Sequence, residues 1–335
     1  ALDGDQIAAL NSTNIAGLTS QQLSKIAATE LTGLETRDLA ALSSVQVVGF
    51  SNDQMEALSS AQVGAITESN IAGLTPTQLS KITEKSVVGL KSNSIVAMSS
   101  SQLEGLTAGQ IQVLNSAQVR ALTTAQLSAL KAKFVGALTP AQVAMLTAGQ
   151  CSALGLSTPV VLDLDGGGVS TRSLAQGVQF DIDGDGRLDQ TGWVGSGEGL
   201  LVRDLDGDGV VDSGAELFGS ATTLADGSKA NNGFGALAAL DSNSDGRIDA
   251  QDKAFAELKV WVDADADGVT DAGELKTLAQ AGVVSIGLDA QTDGARRDQG
   301  NIIGLVSGFE RADGSQGEAA DVWFQVSSSE ALDEQ

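Results

Sequence analysis

Over residues 3–154 an eight-residue pattern of apolar and polar positions repeats nineteen times without a gap. The fifth place carries an aliphatic residue, Met or Cys (Ile7, Leu23, Val63, Leu103, Val143, Cys151), and the eighth a large apolar one (Leu10, Ile26, Ile66, Leu106, Leu146, Leu154). The seventh is mostly Ala or Gly. Ser, Thr, Asn or Asp usually opens the unit and Gln usually stands three residues later, as in "TSQQLSKI", "SSAQVGAI" and "TTAQLSAL". That is the capping-box pattern of a helix start, and the eighth place of one unit with the fifth of the next forms the hydrophobic staple. Each octad therefore predicts a new short helix. One continuous helix or a coiled coil fits poorly, because eight residues at about 100° each let the apolar stripe drift by about 80° per unit.

Two buried large side chains contribute about 3–6 kcal/mol per octad, whereas ordering eight residues costs about 8–16 kcal/mol in backbone entropy. No octad is stable alone. The units must stack into a solenoid with a continuous core, and small seventh residues let neighbouring helices approach closely. Ala27, Glu35, Lys91 and Lys131 open octads without the usual capping oxygen, and Phe134 replaces the Gln; these are edges, bends or contact points, or drift in a tolerant array. "NIAGLTSQQLSKI" at Asn14 returns as "NIAGLTPTQLSKI" at Asn70, seven octads on, which marks a duplicated block. Such an array repeats its surface without convergent polar groups, so its expected role is spacing, display or self-association.

Past "GLSTP", residues 155–159, the octads stop and the pattern changes. "GVQFDI", "GLLVRD", "VVSIGLD", "GNIIGLVSGFER" and "ADVWFQV" alternate like strands, with "ADGS" as a hairpin turn between the last two. "NGFGALAAL" and "AQDKAFAELKVW" read as helices. The expected architecture is mainly α: a short-helix octapeptide solenoid over 1–154, a linker at 155–158, a small calcium-binding α+β module with EF-hand-like loops over 159–327, and a tail at 328–335.

Charge sharpens that division. Of the net −24, residues 1–158 carry 10 acidic and 8 basic side chains, and residues 159–335 carry 33 and 11. An acidic surface repels nucleic acid and anionic lipid, so the partner it calls for is a cation. His and Tyr are absent and Cys151 is the lone thiol, which excludes histidine-dependent triads, histidine and four-cysteine zinc sites, and internal disulfides. Cys151 stands where other octads place an aliphatic residue, so it reads as a small buried apolar side chain. Trp193, Trp261 and Trp323 read as core residues. There is no apolar run of about 18 residues, so no membrane span is expected, and the opening "ALDGDQIAAL" reads as part of a repeat rather than a signal peptide.

The acids of the second half are spaced, not scattered. In "DADADGVTDAGE", Asp263, Asp265 and Asp267 fall at places 1, 3 and 5 of a calcium loop, Gly268 at the sharp turn, the Val269 carbonyl at 7, Asp271 at 9 and Glu274 at 12. Asp241, Asn243, Asp245, the Arg247 carbonyl, Asp249 and Asp252 repeat the set, and with helices on either side the two loops suggest an EF-hand pair sharing a middle helix. A third loop offers Asp204, Asp206, Asp208, the Val210 carbonyl and Asp212, with Glu216 one residue late. A fourth offers Asp181, Asp183, Asp185, the Arg187 carbonyl and Asp189 without a terminal acid. A fifth, "DLDGGGVST", keeps Asp163 and Asp165. Carboxylate-rich loops suit Ca²⁺ better than Mg²⁺, which demands a strict octahedron, so several Ca²⁺ ions are the expected cofactor and their binding is expected to couple to folding. The alternative is an acidic solvated surface.

The run "PVVLDLDGGGV … TGWVGSGEGLLVRDLDGDGVVDSGAELFG … LDSNSDGRIDAQDKAFAELKVWVDADADGVTDAGELKTL" resembles the calcium-dependent self-processing module of Frp-type RTX proteins, over residues 159–327. The resemblance implies a Ca²⁺-folded module, and in self-cleaving members an Asp-Pro bond whose Asp side chain attacks its own carbonyl and leaves an anhydride for a lysine. Here Thr158 precedes Pro159, and a hydroxyl cannot form that anhydride, so no cleavage is expected. Gly167 also replaces an Asp usual in the first loop, and the nonapeptide repeats of RTX β-rolls are missing.

The expected function is that of a secreted, cell-surface bacterial protein, structural or adhesive and not an enzyme. Ca²⁺ orders its C-terminal module, and its partners are further copies of itself or cell-surface components, with no nucleic acid and no membrane span. Calcium-triggered self-processing, and a fragment of a larger toxin or effector, are the rival expectations.

Overall fold

The computed structural model describes residues 6, 7, 9–292 and 294–327. The opening of the first octad and the expected tail at 328–335 lie outside these residues. By compactness the chain divides into two units, Ala1–Met145 and Leu146–Gln335.

The first unit is a succession of short helices in step with the octads. Capping boxes with both bonds formed open the helices Ser20–Leu23, Ser44–Val47, Asn52–Ala57, Ser60–Val63, Pro76–Lys81 and Ser116–Ala121, among others. Fifth and eighth places such as Leu79, Ile82, Leu103 and Leu106 are buried. Helices three octads apart pack together, for example Asn52–Ala57 on Pro76–Lys81 and Ser92–Ala97 on Ser116–Ala121. At seventh places the approach is backbone to backbone: a Cβ on Gly73 or Gly89 would overlap the carbonyl oxygen of Ser44 or Ser60.

The fourth-place Gln does more than close its capping box. Its carbonyl oxygen takes the N-cap N–H while its Nε2 donates to carbonyls four octads upstream: Gln54 to Leu23 O (2.9 Å) and Ile26 O (2.7 Å), Gln110 to Leu79 O (2.8 Å) and Ile82 O (2.5 Å). Each octad thus touches those three and four units away, and a turn of the coil holds between three and four. Ser86 and Ser94, at the same place, donate one hydroxyl each, to Leu58 O and Ile66 O (both 2.7 Å). Where Phe134 replaces Gln, the ring is fully buried, and helix Lys131–Ala137 follows Thr124–Ala129 with no side-chain cap.

The second unit overturns the expectation of a mainly α protein with a small sheet. Its body is a twelve-stranded antiparallel sheet. Eight strands form the main path: β1 (Val160–Asp163), β2 (Glu198–Val202), β3 (Arg247–Asp249), β4 (Lys259–Trp261), β5 (Leu275–Thr277), β6 (Val283–Gly287), β7 (Asn301–Arg311) and β8 (Gln316–Ser327). They run β5-β4-β2-β1-β8-β7-β6-β3, and residues 312–315 turn β7 into β8. Val160, Leu162, Leu201 and Val260 belong to one core, with Phe234 and Leu237 of helix Gly233–Ala238; Val161, Leu200, Val202 and Trp261 belong to another, with Phe180 and Trp193. With cores on both faces, β1 and β2 are buried at every position and show no period-two alternation. The shared middle helix is also absent. "AQDKAFAELKVW" holds a 3-10 turn, Phe255–Glu257, and then β4, because pairing with β2 and β5 outweighs the helix propensity of its Ala, Glu and Leu residues. The loops are thus EF-hand-like in sequence but not flanked by EF-hand helices.

Asp321 of β8 is fully buried. Its Oδ2 accepts the Gly233 N–H (2.7 Å) at the start of helix Gly233–Ala238. Burial pushes its carboxyl up to about 7, against the pull of the Gly233 N–H and the Thr158 hydroxyl. The folded unit therefore holds this proton through a range where the unfolded chain has released it, so the stabilisation is lost as pH rises from about 4 towards 7. In calcium-free protein, Asp321→Asn is expected to flatten the fall in melting temperature over that range. An unchanged slope would show that Asp321 does not carry it.

Candidate functional site

The five acidic loops share one backbone. Their fourth and sixth places all have positive φ: Gly166 and Gly168, Gly184 and Gly186, Gly207 and Gly209, Ser244 and Gly246, Ala266 and Gly268. The sixth place is always Gly, the residue that adopts this conformation without steric cost. Its N–H bonds the opening acid every time: Asp163 (3.0 Å), Asp181 (3.0 Å), Asp204 (3.2 Å), Asp241 (3.0 Å) and Asp263 (2.9 Å). Place 5 takes the place-7 N–H at Asp185, Asp208, Asp245 and Asp267. Place 3 takes the place-5 N–H at Asp165, Asp183, Asp206 and Asn243.

The terminal acids show which loops close. Glu274 folds back so that Oε1 accepts Ala264 N (2.7 Å) and Oε2 accepts Asp271 N (3.1 Å). Asp252 does the same with Ser242 N (2.7 Å) and Asp249 N (3.1 Å). Glu216 reaches Leu205 N (3.0 Å) and Asp212 N (3.1 Å), so its late position in the sequence is absorbed and it occupies the same role. Acid oxygens converge to within 4.8 Å of one another in the sets Asp181–Asp183–Asp185, Asp204–Asp206–Glu216, Asp263–Asp265–Glu274 and Asp265–Asp267–Asp271. A carboxylate oxygen that accepts a single N–H, such as Asp263 Oδ1 from Asp267, keeps its other lone pair for a hard cation, whereas Asp263 Oδ2 and Glu274 Oε2 each accept two donors. This all-oxygen donor set fits Ca²⁺.

The loop at Asp181 runs into strand Asp189–Thr191 without a closing acid. The loop at Asp163 is held differently: Arg311 donates to the Asp163 and Leu164 carbonyls, and Arg296, paired with Glu318, to the Val169 carbonyl. Beneath it Glu198, paired in register with Asp163, accepts Ser170 N and Oγ on Oε1, while its buried Oε2 has no partner. Burial pushes Glu198 up to about 7, with Asp163 and Asp165 adding to the shift.

Two indoles wire the loop at Asp263 to the core. Trp193 Nε1 donates to Asp263 Oδ2 (2.7 Å) and Trp261 Nε1 to Glu274 Oε2 (3.3 Å). The rings lie 5.5 Å apart, edge to face, with Phe180 against both. Burial raises Asp263 above the usual carboxylate range despite the Gly268 N–H and the Trp193 indole. For Glu274 burial is outweighed by the Ala264 and Asp271 N–H groups, which hold it low. Lys259 Nζ, 2.9 Å from Asp204 Oδ2, holds Asp204 low. These tryptophans were legible only as core, and nothing in the spacing marked Lys259 or Glu198. Cys151 is buried as expected, but also accepts Trp323 Nε1 (3.3 Å), and burial pushes its thiol up to about 12.

Among the described residues no helix is long and apolar enough to cross a membrane. Residues 160–325 match the SPM domain, and residues 31–68 match the ALTTAQ repeat. Over 166 residues, 49% of this chain, the protein is 43% identical to the iron-regulated protein FrpA of Neisseria meningitidis serogroup C. That stretch is 15% of FrpA, so the chain spans only a small part of this curated relative. The C-terminal half is thus related to an Frp-type protein, and the N-terminal half contains an ALTTAQ repeat.

Proposed function

We propose that the C-terminal half is a calcium-ordered module of an exported bacterial surface protein, and that the octapeptide array spaces or displays it, with further copies of the chain or cell-surface components as partners. In this reading the array spans residues 1–154, a linker 155–158, the calcium-ordered module 159–327 and a tail 328–335. The observation that carries it is the shared fold-back of Glu274, Asp252 and Glu216, which closes three loops with one hydrogen-bond pattern. In these loops the ligands are Asp263, Asp265, Asp267, Asp271 and Glu274; Asp241, Asn243, Asp245, Asp249 and Asp252; and Asp204, Asp206, Asp208, Asp212 and Glu216, with the carbonyls of Val269, Arg247 and Val210. Asp181, Asp183, Asp185, Asp189 and the Arg187 carbonyl form a more open site. Extracellular calcium would fill such loops outside the cell and leave them unfilled inside, so folding of the module reports export. Relation to an Frp-type protein agrees with export.

The test is a calcium titration followed by native mass and near-ultraviolet circular dichroism. Several ions should bind below millimolar calcium, with an ordered tryptophan signal appearing in parallel. No uptake at millimolar calcium removes the reading. The same samples test self-processing: intact mass should stay unchanged, because Thr158 offers a hydroxyl where the reaction needs a carboxyl. A new fragment ending at Thr158 would replace the structural role with an enzymatic one.

A further inference from the structure

The loops opening at Asp204 and Asp263 are 59 residues apart in the chain and are joined by one side chain. Thr270 Oγ1 accepts the Val211 N–H (2.9 Å) and donates to the Val211 carbonyl (3.1 Å). Val211 and Thr270 both occupy the eighth place of their loops. Each stands between a place-7 carbonyl (Val210, Val269) and a place-9 acid (Asp212, Asp271), so ordering either ligand shell moves the residue that bridges to the other. Val211 is 1% exposed, so its N–H and carbonyl have no ready access to water if Thr270 withdraws. The sequence suggests the loop at Asp241 as partner of the one at Asp263. Instead, place 8 of the Asp241 loop, Ile248, pairs with Ile286 of β6.

We propose that the loops at Asp204 and Asp263 form one cooperative two-ion unit in which the Thr270 hydroxyl is the positioning group that couples them; this rests on the calcium reading above. The Asp263 loop fills first, since its ligands are already anchored on Trp193 and Trp261. The Asp204 loop fills second, since its opening carboxylate is paired with Lys259 and must let go of it. Filling the first loop fixes Thr270 and with it the Val211 backbone, so less ordering remains for the second ion.

The test is a calcium titration of the full chain, wild type against Thr270→Val and Thr270→Ser, with ion number read by native mass and steepness by tryptophan fluorescence. Thr270→Val should bind as many ions as wild type, but the second of the pair about tenfold more weakly, with a shallower curve. Thr270→Ser keeps the hydroxyl and should restore the steepness, which a purely packing role for the Thr methyl would not. Coincident wild-type and Thr270→Val curves overturn the coupling while leaving the calcium reading intact. A wild type that takes up no calcium overturns both.

Discussion

Asp263→Ala is expected to cost the calcium-loaded C-terminal unit about 5–9 kcal/mol. The substitution removes the acceptor of the buried Trp193 indole and of the Gly268 N–H, and a buried donor left unpaired costs about 1–3 kcal/mol. On the proposed calcium reading it also removes the opening ligand of the loop, and an ion present at about a hundred times its dissociation constant would contribute about 2.7 kcal/mol. Against a total stability of about 5–15 kcal/mol for a domain, that leaves the unit marginal. The expected result is a lower urea midpoint and loss of the near-ultraviolet tryptophan signal at a calcium concentration where wild type is folded. Asp265→Ala, at an exposed place in the same loop, should cost only the ion's share. In chelator the two variants should still differ, since the indole bond does not depend on the metal. Equal effects under both conditions would mean that the Trp193 bond contributes nothing.

In the first unit the largest effect is expected at a buried glutamine. Gln110→Ala removes bonds to Thr107 N, Leu79 O and Ile82 O, and with two buried carbonyls left without this donor the cost should be about 3–5 kcal/mol. Thr107→Ala removes only the cap on Gln110 N and should cost about 1 kcal/mol. Gln110→Ser should fall between, because Ser86 and Ser94 make one of the two upstream bonds in their own octads. Because neighbouring repeats stabilise one another, hydrogen exchange should rise first at Leu79 and Ile82 and the helices around them. Uniform exchange along the array, or a Gln110→Ala midpoint equal to that of Thr107→Ala, would contradict this role for the glutamine amide.

The octad helices were legible because their determinants lie within a few residues: cap, staple and apolar places are all local. The reach of Gln54 to Leu23 and Ile26 was not, since no residue in an octad encodes how many units complete a turn. The loop turns were legible for a similar reason, because alternate acids around a Gly turn are a local pattern, and even the late Glu216 closes onto Leu205 and Asp212. Strands were legible where the sequence itself alternates, as in Val178–Phe180 and in "GLLVRD", which overlaps Glu198–Val202 although every position of that strand is buried. In Val160–Asp163 both faces are buried and the apolar run carries no alternation. The segment around Phe255 misled because its helix formers are overridden by pairing partners distant in sequence, a choice made by the tertiary structure.

Contacts at three and four octads also bear on how the array could have grown. A step of seven octads travels about two full coils and brings a side chain back to nearly the same compass bearing, whereas one octad swings it by between a quarter and a third of a revolution. The passage at Asn14 returns at Asn70, a spacing of seven octads. Gene duplication in such blocks would lengthen the array while every copied face keeps its direction.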